Sequence, residues 1–293
     1  MIEANPYTAG GFEVLKVETH LHTLHSDGQH GVAEMLAACR TAGYDAVALT
    51  DHNTLSGLAE ARAAADGLDL ILLPGVEVTT FRGHAIVLGA TRVPEWRDLD
   101  VRGMDALADD VHLDGGLLCV AHPAALGSPV CSGCAWEWSI QPGSIDLWEI
   151  FSAPRPNADV SLALWQQVLE RGGHPAPIAA GDVHSVSAAA RPKIATYVYA
   201  HERSASAVLD ALRERRVFAS SGPRLDFWLE NHAGLVLMGG RASGSDWTPR
   251  VDTGAVVKEV CVTGGRRALY AARRDAHGRL EAISAPIWID RST

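Results

Sequence analysis

Residues 17–28 read VETHLHTLHSDG and pack His20, His22, His25 and Asp27 into one short span of a 293-residue chain that holds 13 histidines. Side chains alternate faces along a β-strand, so His20 and His22 point the same way with Leu21 opposed, and two imidazoles so spaced can share one metal ion. Comparable groups recur downstream: Asp51 and His52 in TDHNT, Glu77 in LLPGVEVTT, His84 across a short turn, His122 in LLCVAHP, and Asp182 with His184 in PIAAGDVHS. An isolated histidine is more often a hydrogen-bonded surface residue, and an isolated loop aspartate a turn former or helix cap. His25, His30, His112, His174, His201, His232 and His277 are read that way. His20, His22, Asp27, His52, Glu77, His84, His122, Asp182 and His184 are set apart because they gather mostly at the ends of apolar, strand-like runs. Mixed imidazole and carboxylate donors suit zinc, manganese or iron and do not choose among them.

The elements that must position these groups alternate in type. VLKVETHLH (14–22), DAVALT (45–50), LILLPGVEVTT (70–80), HAIVLGA (84–90), LLCVAH (117–122), SIDLWEIF (144–151), PIAAGDV (177–183) and KIATYVYA (193–200) read as strands. Between them, Val32, Met35, Leu36 and Cys39 recur with the stripe of an amphipathic helix, and LSGLAEARAAAD, residues 103–114, LALWQQVLERG and ASAVLDALRER read as further helices. Such βα repetition predicts an α/β fold with a mainly parallel sheet, doubly wound or closed into a barrel, with ligands gathering at the carboxyl ends of the strands. A loop rich in Gly, Pro and Cys is expected over 123–143. After SSGP (220–223) the texture changes to short strand-like pieces without a helical stripe, LDFWLE, GLVLMG, AVVKEVCVT, RALYAARR and APIWID, which predicts a small β-sandwich-like appendage over 223–293.

HLH at 20–22 followed by Asp27, TDH at 50–52, PGVE at 74–77, GHAIVLG at 83–89, AHP at 121–123 and GDVH at 181–184 together resemble the successive motifs of the PHP (polymerase and histidinol phosphatase) superfamily. The resemblance runs over residues 14–222, with valine in GDVH where such proteins more often carry a small residue. It implies a distorted (β/α)7 barrel with a centre of two or three divalent ions at its mouth. His20, His22, Glu77 and Asp182 would hold one ion; Glu77, bridging, would share a second with His84 and His122; Asp27, His52 and His184 would hold a third. GSPVCSGCAWEW, DLWEIFSAPRPN, GPRL and SAPIWI resemble, more narrowly, the branch that includes carbaryl hydrolase-type metallohydrolases, which has a similar β-rich tail.

Three divalent ions set against the carboxylates of Asp27, Glu77 and Asp182 would leave a positive pocket inside a protein of formal net charge −10. Overall acidity argues against a nucleic-acid polymer or an anionic membrane as partner, but a locally positive site suits a small anionic substrate, most simply a phosphate ester or nucleotide. Ions sharing Glu77 would lower the pKa of a water for attack, with Glu77, Asp182 and His184 as the catalytic residues. Ser26, Ser185 and Ser220 are then not needed as nucleophiles, and no GxSxG is present. Arg155 and Arg191, in rim loops, are candidates for gripping the phosphate. A carbamate, ester or amide hydrolase using the same ions is the alternative, and a metal-stapled binding module the non-catalytic one. With 47% apolar and 20% charged residues the chain is an ordinary globular one. Its N-terminus lacks a signal or membrane-spanning pattern, and five sparse cysteines do not make a disulfide framework. Together these predict a cytoplasmic protein in which CSGC (131–134) is a loop turn with two free thiols.

Overall fold

The computed structural model describes residues 5–290 except 132, 154–156, 191–193, 233, 245 and 252–253. The apolar runs form β1 (Glu13–Glu18), β2 (Ala46–Leu49), β3 (Ile71–Thr80), β4 (Gly83–Leu88), β5 (Leu117–Val120), β6 (Leu147–Ser152), β7 (Ala176–Ala180), β8 (Ala195–Ala200) and β9 (Val217–Ser220). β2, β5 and β7 are buried along their whole length, as strands covered on both faces must be. The stripe Val32, Met35, Leu36 and Cys39 is the buried face of the helix Val32–Thr41, and each such side chain contributes about 1.5–3 kcal/mol of burial.

These strands lie in the order β9-β8-β1-β2-β3-β4-β5-β6-β7. β1, β2 and β3 are mutually parallel, as are β5, β6 and β7. The hairpin between β3 and β4 makes β4 antiparallel to both neighbours, and β8 is antiparallel to β1 and β9. The sheet is therefore mixed. A seven-fold closure would require β7 to pair with β1, but β8 already occupies that edge of β1. Beyond the strand ends the two segments do meet, at an isolated parallel bridge between Leu21 and Val183, with His22 N donating to Val183 O at 2.8 Å and Val183 N to His20 O at 3.0 Å. Among the described residues the ladder itself does not close.

The C-terminal run forms β10 (Phe227–Asn231), β11 (Gly234–Leu237), β12 (Arg241–Ser243), β13 (Thr248–Val251), β14 (Ala255–Val262), β15 (Arg266–Arg274), β16 (Leu280–Ser284) and β17 (Ile287–Asp290). The expected strands are there, but not as a self-contained sandwich. β16 pairs with β9, so β16, β15, β17 and β12 continue the main sheet, with β14 alongside β15, and β11, β10 and β13 form a separate three-stranded sheet. Pairing across that join lets Trp288 and Tyr270 share one core with Trp165. The N-terminal turn is clasped to the same region: Tyr7 is fully buried, its hydroxyl donating to Phe227 O and accepting from Met238 N.

In the loop after β5, Cys131 and Cys134 form a disulfide, which corrects the expectation of two free thiols: the CxxC turn brings their Cα atoms to 5.5 Å, within the span a disulfide bridges. Cys39, Cys119 and Cys261 carry free thiols. Among the described residues no helix is long and apolar enough to cross a membrane.

Candidate metal centre

His20 and His22 lie just beyond β1, on either side of the bridged Leu21, and both are completely buried. Each Nε2 stands 3.2 Å from Glu77 Oε2, and 3.5 and 3.4 Å respectively from Asp182 Oδ1. Neither Nε2 nor Glu77 Oε2 makes a well-aligned hydrogen bond. Buried polar atoms are ordinarily satisfied, so three unsatisfied donor atoms facing one point are what a cation site requires.

Glu77 sits in β3 with its backbone tied to the segment after β2, through Asn53 N to Glu77 O at 2.9 Å and Glu77 N to Thr50 O at 3.2 Å. Its Oε1 lies 3.0 Å from His84 Nδ1, on the antiparallel partner strand, and 3.2 Å from His122 Nε2. Glu77 Oε2 also lies 3.0 Å from His52 Nδ1, which is bonded to Thr79 Oγ1. His52 Nε2 and His184 Nε2 approach Asp27 Oδ1 at 3.4 and 3.2 Å. Asp27 is the exposed member, at 55%, and its loop folds back because Gly28 has no Cβ, which would stand 2.5 Å from Thr23 N.

All nine expected side chains thus converge on one mouth. Three groups have ligand atoms within 4.8 Å of one another: His20, His22 and Asp182; His52, Glu77 and His84; and His22, Asp27, His52 and His184. His52 thus stands beside Glu77 and His84 as well as in the outer group, which His22 also joins, while His122, outside these groups, reaches Glu77 at 3.2 Å. Arg155 and Arg191 lie outside the described residues. Of the histidines set aside, His25 bonds Ser56 Oγ at 2.8 Å and His112 contacts Asp146 at 2.7 Å, each apart from the mouth.

Electrostatics tie the cluster together in the ion-free chain. Burial works against a charged His20, yet the carboxylates of Glu77, Asp182 and Glu149 outweigh it and hold the imidazole well above its ordinary value. His22, opposed by burial in the same way, is raised to about 9 by Asp182 and Glu77. Burial would raise Glu77 and Asp182, but His20 leads the groups that hold both below the usual carboxylate range. His84 goes the other way, lowered chiefly by burial.

Two buried carboxyls, Glu149 and Glu18, escaped the sequence reading, and a third, Asp51, stands at a strand end as read there but serves outside the donor set. Glu149, in β6, places Oε1 2.9 Å from His20 Nδ1 and accepts the His122 N–H on Oε2 at 2.6 Å. Glu18 accepts from His20 N at 3.1 Å and Gly181 N at 2.7 Å on Oε1, and from Tyr44 Oη at 3.0 Å on Oε2; burial pushes its carboxyl up to about 7. Asp51 accepts from Thr23 N and Thr23 Oγ1 at 2.7 Å, and from Ser26 Oγ at 2.6 Å, bracing the loop that bears Asp27. A glutamate inside a strand otherwise buried throughout, as in DLWEIF, was the readable signal. His122 and Asp182 adopt φ of 29° and 47°, conformations that cost a non-glycine residue about 1–3 kcal/mol and concentrate at functional sites.

The PHP domain family model matches residues 18–113, which hold His20, His22, Asp27, His52, Glu77 and His84. A curated relative, the 5'-3' exoribonuclease of Haemophilus influenzae, is 35% identical over 65 residues, 22% of this chain and 24% of that protein, so the match spans about a quarter of the relative's length. Among solved structures, a two-domain protein from Bacteroides vulgatus described as containing a predicted PHP-like metal-dependent phosphoesterase shares the fold, with a TM-score of 0.57 and 17% identity over 95% of this chain and 85% of that one. An amidohydrolase from Chromobacterium violaceum aligns with a TM-score of 0.43 and 17% identity over 58% of this chain and 87% of that one.

Proposed function

We propose that this protein is a metal-dependent phosphoesterase that hydrolyses a small phosphate ester or nucleotide. The observation that carries the reading is the convergence of His20 Nε2, His22 Nε2 and Glu77 Oε2, all buried, 3.2 Å from imidazole to carboxylate, and none with a well-aligned hydrogen bond. On this reading His20, His22, Glu77 and Asp182 hold one divalent ion, Glu77 reaches a second with His84 and His122, and Asp27, His52 and His184 form a third, solvent-side position. When bound, divalent zinc, manganese or iron would supply a water of lowered pKa and neutralise charge on phosphoryl oxygens. Glu77 spans two positions because its two oxygens face different imidazoles. Asp182 and His184 flank the mouth from the segment after β7, and Arg155 and Arg191 are proposed to grip the phosphate. The match of residues 18–113 to the PHP model supports the assignment, and the Leu21–Val183 bridge supports reading β1–β7 as a distorted barrel over 14–222; residues 223–293 are read as a β-rich C-terminal domain that continues the barrel's sheet through β16 and β9. A cytoplasmic setting is part of the same proposal.

Elemental analysis of protein purified without added metal, followed by a panel of phosphate monoesters, diesters and nucleotides, tests it. Because the curated relative is named an exoribonuclease, short RNAs with 5′-phosphate ends belong in that panel. Bound transition metal with phosphate release is the expected result; no metal uptake, or no release from any member, refutes it. Hydrolysis of a carbamate, ester or amide is the second reading. It is favoured by the buried Glu149, whose carboxylate contacts the His20 ring and adds negative charge beside the proposed ions, tempering the pocket's preference for anions. Turnover of an aryl carbamate or ester without phosphate release would select it.

A further inference from the structure

Glu149 stands outside the expected donor set, and both of its oxygens are committed. Oε1 faces His20 Nδ1 at 2.9 Å, Oε2 takes the backbone N–H of His122 at 2.6 Å, and the residue is completely buried. The two contacts belong to different ion positions on the reading above: His20 to the one shared with Asp182, His122 to the one shared with His84. They also differ in kind. At His20 the carboxylate meets a ring, and at His122 it holds a backbone with φ of 29°. Glu18 grips only backbone N–H groups on this side, at His20 and Gly181, so it braces strand ends without addressing a ring.

We propose that Glu149 is a positioning residue that makes the two ion positions sharing Glu77 interdependent, one oxygen orienting the His20 ring for the first and the other holding the strained backbone of His122 for the second. This rests on the metal-centre reading. A carboxylate only accepts, so in the neutral, ion-binding form of the ring Oε1 keeps the His20 proton on Nδ1 and leaves the Nε2 lone pair directed at the Glu77 and Asp182 side. Because one rigid carboxylate spans both contacts, displacing it at either end disturbs the other.

Glu149→Gln keeps the volume and removes one acceptor. With the amide carbonyl on His122 N–H, the NH2 faces His20 Nδ1, drives the ring proton to Nε2 and blocks that donor. Reversed, the NH2 faces the His122 N–H, donor against donor. Either orientation sets donor against donor at one contact and, because one planar group makes both contacts, displaces it from the other as well. The test is calorimetric titration of the ion-free full-length protein with Zn2+ under chelator competition, comparing wild type, Glu149→Gln and His122→Ala. Glu149→Gln should weaken two ion-binding steps together, each by about 10–100-fold as outer partners of metal ligands typically do, while His122→Ala weakens one. Glu149→Asp, whose shorter arm cannot reach both contacts, should behave as Glu149→Gln does and serves if the glutamine variant does not fold. Wild-type affinity at every step overturns the proposal even if melting falls, since that is what a purely structural role gives. Weakening of a single step overturns the coupling. A wild type that takes up no ion overturns the metal-centre reading, and the coupling with it.

Discussion

Loading the ion-free protein with Zn2+ or Mn2+ should release protons and tighten as pH rises. In the ion-free chain His22 is raised to about 9, and His20 stands well above its ordinary value, because Glu77 and Asp182 outweigh the burial of both rings. Only a neutral imidazole can donate to a metal, so binding must expel these protons. Each pH unit below the pKa costs about 1.4 kcal/mol per proton. For His22 at pH 7 that is about 3 kcal/mol, or roughly a hundredfold in affinity. Between pH 6.5 and 8.5 the affinity should therefore climb about tenfold per unit if one imidazole sheds its proton, and about a hundredfold if His20 does so as well. Stability of the ion-free protein has the opposite slope. A histidine raised on folding contributes stability that is fully present below about pH 6.5 and lost as pH rises through about 9. The lowered Glu77 contributes above about pH 4.5 and is lost as pH falls below it. Chelated protein should accordingly melt lower at pH 9 than at pH 6.5, while the gain on adding metal grows over the same window. Calorimetry in buffers of different ionisation heats counts the protons, and a melting series with and without chelator reads the stability. PH-independent affinity without proton release, or a chelated protein that melts higher toward pH 9, would refute the argument.

Glu77→Gln removes the charge that faces five imidazoles, those of His20, His22, His52, His84 and His122. Hydrolysis of whichever ester the panel identifies should drop by more than about a hundredfold, and activity within a few-fold of wild type would exclude the bridging role. Gly181→Ala places a Cβ 2.4 Å from Val183 Cγ2 and 2.6 Å from Glu18 Oε2, so urea denaturation should show a loss of about 1–3 kcal/mol; an unchanged midpoint would mean that Glu18 can move aside freely. Tyr7→Phe strips both hydrogen bonds of a fully buried hydroxyl, leaving Met238 N–H and Phe227 C=O without it. A cost of about 1–3 kcal/mol is expected in the same assay, and a neutral result would show that the N-terminal clasp adds no stability.

The metal-centre candidates were legible because they break apolar runs: an imidazole or carboxyl at the end of a buried strand stands out against its neighbours. Glu149 breaks an apolar run in the same way, but nothing local says which residue it serves, since its partner His20 lies 129 residues away. Helix positions were readable for the same reason as the site, since Val32, Met35, Leu36 and Cys39 repeat with the period of the buried face. Pairing partners were not. Periodicity identifies β7 and β8 as strands but carries no information about which takes the free edge of β1, and β8 does so, antiparallel. The C-terminal strands likewise read as a sandwich because alternation reports which face is buried, not whether the edge joins another sheet, as β16 joins β9. The CSGC turn was read as two thiols because sequence supplies spacing and not the approach of the two side chains.

Charge is where the structure alters the chemical expectation. Counting only Asp27, Glu77 and Asp182 against three divalent ions leaves a strongly positive pocket, and that surplus was the argument for an anionic substrate. Glu18, Glu149 and Asp51 are all within 1% of full burial and bonded to the segments that carry the donors. Glu149 and Asp51 act in a low effective dielectric on the same ions, and Glu18, whose carboxyl burial pushes up to about 7, adds only part of a charge, so together they reduce the surplus at the mouth, while the overall acidity of the chain opposes long-range capture of polyanions. Substrate capture should then depend on short-range contacts at the mouth more than on steering from solution. For a phosphate ester this means that added salt lowers kcat/KM only slightly. A steep decline, of the kind long-range attraction produces, would show that the inner carboxyls leave the field of the ions largely intact.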